Sequence, residues 1–180
     1  MPAVTLVAVI DADNGFLSAD FRAPERTAQL ITQVAGRAGR AERAGHVWIQ
    51  TFDPQNRNLQ ALIKHGYDGF AATETQLRRD ADLPPHAAMA ILRSESSNHN
   101  AAANLLQKAA SFCSLVGKDV QVMGPVPAPM PRRDSRYRYQ CMLLARKRRS
   151  LHATLSALEK EDLDSRNVRW SIDVDPLDTF

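Results

Sequence analysis

Gly124-Pro125-Val126-Pro127-Ala128-Pro129-Met130-Pro131 carries proline at every second position. Alternate N–H groups of an extended chain point to the same edge, so these four prolines strip donors from one edge only. The pattern fits an edge strand or a polyproline crossover and excludes a central strand. Upstream lie a strand from Ala87 to Arg93, a helix from about Asn98 to Val116 and a strand from Asp119 to Met123. In that helix Leu105, Ala109, Phe112, Cys113 and Val116 recur at helical spacing. Downstream come strand Arg136 to Ala145, helix Ser150 to Glu161 and strand Val168 to Val174. The order β-α-β, proline-rich crossover, β-α-β predicts a small α+β domain with both helices on one face of a sheet.

Working back toward the N-terminus, Leu83-Pro84-Pro85 stops a helical stretch and sets a boundary between residues 1–83 and 84–180. Before it, Val4 to Ile10 is continuously apolar, which predicts a parallel strand buried on both faces. Pro24 and Glu25 open a helix, since proline suits the first helical position and an early carboxylate suits the dipole. His46 to Phe52 reads as a second strand, and Asn58 to Asp82 as one or two helices interrupted near His65-Gly66. Strand, helix, strand, helix is half of an open α/β sheet. Two strands leave sheet edges uncovered, so self-association through them is expected.

The chain has 180 residues, is 44% hydrophobic and carries a net charge of +3. A globular protein is expected, and no run approaches the roughly 18 apolar residues of a membrane span. The N-terminus lacks a signal peptide's charged-then-apolar order, so the cytoplasm is the expected location. Cys113 and Cys141 each sit in an apolar stretch without a second ligand-like pair, and read as small reduced core residues rather than zinc ligands. Asp11, Asp13 and Asp20 read as loop-capping carboxylates, and no metal is assigned. Basic charge is concentrated: Arg132, Arg133, Arg136, Arg138, Arg146, Lys147, Arg148 and Arg149 face one acid, Asp134, within a single segment. Such a segment is a candidate phosphate-binding surface, with a plain solvated face as the alternative.

Gln33-Val34-Ala35-Gly36-Arg37-Ala38-Gly39-Arg40 is the sharpest local signal. If the helix from Pro24 runs through it, Thr27, Ile31, Val34, Ala35 and Ala38 share one face, and Gln33, Gly36, Arg37 and Arg40 the opposite one. Two arginines on a face thinned by glycine can reach one anion; a basic helix end is the alternative.

The eight residues from Gln33 to Arg40 resemble motif VI of superfamily 2 helicases. Asp11-Ala12-Asp13, Phe21-Arg22, Glu25-Arg26, Gln29-Leu30 and Gly66-Tyr67-Asp68 narrow the resemblance to the primosomal protein N′ (PriA) family of replication-restart DNA helicases. So do Leu83-Pro84-Pro85, Gly124-Pro125-Val126-Pro127-Ala128, Arg136-Tyr137-Arg138-Tyr139-Gln140 and Asp173-Val174-Asp175-Pro176. The resemblance implies a partial RecA-like helicase lobe followed by the small α+β domain, starting just after motif V. It implies an ATP-dependent DNA helicase that recognises stalled forks and restarts replication by primosome assembly. In the intact enzyme Arg37 and Arg40 would be arginine fingers on the ATP γ-phosphate, beside Gln33, Gly36 and Gly39. This chain has no Gly-x-x-x-x-Gly-Lys-Ser/Thr loop, no magnesium-holding Asp-Glu motif and no four-cysteine zinc cluster. No cofactor is therefore expected in it, whereas the intact family member would use ATP, magnesium and zinc, and the chain alone is expected to be inactive as an ATPase. The alternative is a free-standing nucleic-acid or protein-binding module that never meets ATP.

Two further sites belong to the C-terminal domain. On a strand, Arg136 and Arg138 face one way, with Tyr137, Tyr139, Cys141 and Leu143 the other, so the tyrosines are expected to pack. Arg132, Arg133, Arg136 and Arg138 are the expected phosphate contacts, and the resemblance implies DNA-fork binding by this domain. Arg148 and His152, four apart on the last helix, share a face that can receive an acidic peptide carboxylate, or is simply solvated. The resemblance implies the tail of the single-strand-binding protein and other primosome proteins as partners.

Overall fold

In the computed structural model, which describes residues 4–38 and 45–179, the chain divides into two units, Met1–Leu77 and Arg78–Phe180. The division falls in the last turns of a helix, upstream of the Leu83-Pro84-Pro85 break.

The first unit contains β1 (Leu6–Val9), α1 (Asp13–Phe16), α2 (Ala23–Ala35), β2 (His46–Ile49) and most of α3 (Arg57–Asp80). Strands β1 and β2 pair in parallel, with Leu6 opposite His46 and Val9 opposite Ile49. The expectation that β1 is buried on both faces fails. Val9 and Ile49 pack on a core of Ala12, Phe16, Ala28, Ile31, Leu59, Leu62 and Phe70. Leu6 and Trp48, pointing the other way, are 49% and 67% exposed. Among the described residues nothing covers that second face. β2 also stops at Ile49, short of the expected Phe52, because Asp13 captures the chain there. Its carboxylate accepts from the Thr51 hydroxyl at 2.7 Å and from the Phe52 N–H at 2.8 Å. The Phe52 N–H thus serves a side chain rather than a strand.

Proline does sit in the first positions of α2, with Glu25 in its first turn, and Pro24, Ala28 and Ile31 form its buried stripe. The helix ends at Ala35, however, so the condition that it run on through Gly36 and Arg37 is not met. The Gly36 N–H still bonds Thr32, but Arg37 and Ala38 close tighter turns onto Val34 and Ala35. Glycine gives up helical order more readily than any residue but proline, and three-residue hydrogen bonds are the usual way a helix tightens to its end. α3 breaks at Gly66, whose φ of 68° and ψ of −166° suit glycine alone. Across the break Asn58 donates to Glu74 at 2.7 Å, both buried, so the halves of α3 are tied back together.

The second unit holds β3 (Ala88–Ser96), α4 (His99–Val116), β4 (Gln121–Arg133), β5 (Arg136–Ala145), α5 (Arg148–Leu158) and β6 (Arg169–Val174). The sheet order is β4-β5-β3-β6, every neighbour antiparallel. This is the split β-α-β arrangement, and it corrects the proline run from a crossover to the outer half of edge strand β4. With β5 on one side only, prolines are tolerated on the other. Asp134 and Ser135, both at positive φ, make the two-residue turn into β5. Register shifts occur after Met123 and after Pro127. Gly124 is required at the first: its φ is 108° and a Cβ would meet the Gln140 carbonyl at 3.0 Å.

Alternation sorts the sheet into two faces. Ala88, Ala90 and Leu92 of β3 and Cys141, Leu143 and Ala145 of β5 face Leu105, Leu106, Ala109 and Cys113 of α4 and Leu151, Leu155 and Leu158 of α5. Asn98 caps α4 through the Asn100 and Ala101 N–H groups. Cys113 and Cys141 are free and fully buried, and burial pushes both thiols up to about 11.

Candidate functional site

Of the residues expected to reach a nucleotide, the described ones, Gln33, Gly36 and Arg37, do not share one helical face. Gln33 is exposed on the last turn of α2, Gly36 caps it and Arg37 lies in the turn beyond. Gly39 and Arg40 lie outside the described residues. The three aspartates are structural: Asp11 accepts from Asn14, Asp13 holds Thr51 and Phe52, and buried Asp20 takes Arg26 at 2.8 Å. Hydrogen bonds from Phe52 and Thr51 hold the Asp13 carboxyl below its usual range. Among the described residues no group of histidine, cysteine, aspartate and glutamate is arranged to hold a metal ion, and no helix is long and apolar enough to cross a membrane.

The β4–β5 hairpin separates the four arginines expected to act together. Arg133 pairs with Arg136 and Arg132 with Tyr137. Cys141 and Leu143 face the helices, so Tyr139, Tyr137 and Arg132 share that side. Arg133, Arg136 and Arg138 project from the helix-free face instead. There they gain company that the sequence did not announce. Arg138 is opposite Glu95, which is opposite Arg169, and in the next row Arg93 lies between Gln140 and Ser171. A cleft of about 300 Å³ opens among Arg93, Glu95, Ala128, Arg138, Arg169 and Ser171. Arg93 reaches Asp173 at 2.7 Å, Arg169 reaches Glu95 at 3.3 Å and Arg133 reaches Asp134 at 3.5 Å. Arg136 and Arg138 form no ion pair among the described residues. Arg93 and Arg169 occupy alternate positions of their strands, but only strand order and register place them beside the hairpin.

On the helix side, the Arg132 guanidinium sits 5.3 Å from the Tyr137 ring centre. His99, the first residue of α4, stands edge-on to Tyr137 at 5.1 Å and to Tyr139 at 5.5 Å. The Tyr139 hydroxyl lies 2.6 Å from His99 Nε2. Tyr139 packs against the core, as expected of the tyrosines, whereas Tyr137 lies opposite Ser96 and is outside that core.

Arg148 opens α5 and His152 follows one turn later, exposed. The Arg148 fork is already engaged with a carboxylate: Asp175 accepts at 2.5 and 3.2 Å. Bidentate geometry of this kind is what guanidinium offers and ammonium does not.

The chain resembles three proteins named replication restart protein PriA. It is 40% identical to that of Haemophilus influenzae, over 98% of this chain and 24% of the relative. It is 37% identical to that of Bacillus subtilis and 38% to that of a Synechocystis strain, over 97% of this chain in each case and 22% and 21% of the relatives. The chain thus spans about a quarter of the length of the curated relatives it matches. Among solved structures, the de novo designed protein Foldit4 matches 50% of this chain and 97% of its own at 10% identity, with a TM-score of 0.38, too low to bear on the fold. The family model described as primosomal protein N C-terminal domain matches residues 79–177, which include both strands of the hairpin and the whole four-stranded sheet, and the chain belongs to that family.

Proposed function

We propose that this chain serves replication restart by binding DNA through the helix-free face of its second unit, as part of an ATP-dependent helicase that assembles a primosome at stalled forks. The observation that carries the reading is the gathering of Arg93, Arg133, Arg136, Arg138 and Arg169 on one side of one sheet. Guanidinium charge is permanent and its fork matches phosphate oxygens, the contacts that position a protein on DNA without carrying sequence information. Binding is therefore expected to be indifferent to sequence and steeply dependent on salt.

The first unit is read as part of a RecA-like lobe, supported by its parallel β1–β2 pair and the helices that follow each strand. Arg37 and Arg40 would stabilise the γ-phosphate only in a longer protein that supplies the phosphate loop, magnesium and zinc; the chain alone would release no phosphate from ATP. The bidentate Arg148–Asp175 pair supports a second contact, in which an acidic tail such as that of the single-strand-binding protein displaces Asp175 and rests beside His152. The cytoplasmic location expected from the sequence belongs to the same reading.

The test is a salt series of anisotropy titrations on forked DNA, with phosphate release measured in the same samples. Replacing Arg133, Arg136 and Arg138 by alanine should weaken binding to every sequence alike and flatten the salt slope by about three. Unchanged affinity in that triple variant removes the face from consideration.

A further inference from the structure

We infer that the opposite side of the same hairpin, the cluster of Arg132, Tyr137 and His99, takes an unpaired nucleobase. This rests on the proposal that the helix-free face binds DNA phosphates. Core packing accounts for Tyr139, which closes the end of the hydrophobic core, but not for Tyr137 or His99. Tyr137 lies one step further toward the hairpin tip, and its hydroxyl has no hydrogen-bond partner among the described residues. His99 is exposed, yet held at both ring nitrogens: the Tyr139 hydroxyl lies at Nε2, 2.6 Å away, and the Asn100 side chain at Nδ1, 3.2 Å away.

An exposed ring fixed at both nitrogens is preorganised, so a ligand stacking against it loses little further freedom. Arg132 adds a planar cation over the adjoining ring. Aromatic faces beside a guanidinium are the platform on which bases stack without sequence preference, because every base has a π-face. A base inside a duplex is already stacked on its neighbours and cannot use this platform. The hairpin thereby presents phosphate-binding arginines on one side and a base-stacking cluster on the other. A branched DNA, with duplex and unpaired strand side by side, offers both chemistries at once.

The experiment uses the full chain and two DNAs, one an unbranched duplex and one a fork. The fork carries, in its unpaired arm, a fluorescent purine analogue whose emission falls on stacking. Binding should quench the analogue in the wild-type chain and in Tyr137→Phe, which keeps the ring. In Tyr137→Ala and His99→Ala quenching should disappear and fork affinity fall roughly tenfold, with duplex affinity unchanged. Thermal unfolding of Tyr137→Phe and His99→Ala checks that the domain is intact. Quenching that survives in both alanine variants, or duplex affinity that falls in parallel with fork affinity, overturns the inference while leaving phosphate binding in place. A chain that binds neither DNA at low salt overturns both readings.

Discussion

The two units of this chain hold similar apolar strands in dissimilar surroundings. β3 is central in its sheet, with β5 and β6 on either side and α4 and α5 above, and Leu92 is fully buried. Among the described residues β1 has a single neighbour and one covered face, and Leu6 is half exposed. Apolar character therefore licenses burial without delivering it; delivery depends on how many neighbours the chain can recruit. In the second unit a complete β-α-β-β-α-β set closes its own core. In the first, two strands and the helices beside them leave Leu6, Ile10, Trp48 and Phe52 exposed among the described residues.

The largest test of this contrast is truncation on the buried and exposed sides. Leu92→Ala leaves a cavity between sheet and helices and should cost about 2–5 kcal/mol. Leu6→Ala removes a side chain that is already half in water and should stay within about 0.5 kcal/mol. Denaturant unfolding, followed by a probe in each unit, checks the difference; equal losses would mean that β1 is covered in solution by something other than this chain's described residues.

A smaller effect concerns what the exposed face does at high concentration. Leu6, Ala8 and Trp48 lie side by side, with Ala8 opposite Trp48, and two such faces or the free edges of β1 and β2 can join copies. Light scattering should show mass rising with concentration, and Trp48→Lys should return the chain to monomer. A wild-type chain that stays monomeric throughout would break the link between uncovered sheet and association.

The smallest expected effect is local and titrates. Asp13 ties α1 to the segment after β2, and its folded pKa is lowered by the Phe52 and Thr51 hydrogen bonds. A depressed carboxylate stabilises the fold above its unfolded pKa and loses that contribution as pH falls through the folded value. The Phe52 amide should therefore lose hydrogen-exchange protection below about pH 3.8, the ordinary value for aspartate, with little change in the second unit. Asp13→Asn should show weaker protection already at neutral pH.

How far the sequence could be read is clearest at the hairpin. Proline at every second position excluded a central strand, since none tolerates the missing donors, but left an edge strand and a crossover both open until the sheet order was seen. Asn98 ahead of α4, the helical spacing of its apolar residues and the alternation of Arg136, Tyr137 and Arg138 were all local chemistry, legible in one dimension. The glycine break at Gly66 was legible for the same reason. Less so was the end of α2, because the local cost of Gly36 competes with the apolar stripe before it, and sequence alone does not say which prevails.

Strand order and register belong to tertiary structure. Nothing local says that β3 and β6 lie beside β5, so nothing local could place Arg93 and Arg169 with Arg138, or bring His99 up to Tyr137 and Tyr139. Nor could the sequence reveal that Asp175 fills the fork of Arg148. Side-chain period, turn chemistry and missing donors act within a few residues of chain, and the sequence determined them. Which face meets which is decided by contacts between residues far apart in sequence, where burial of the whole sheet selects a single arrangement.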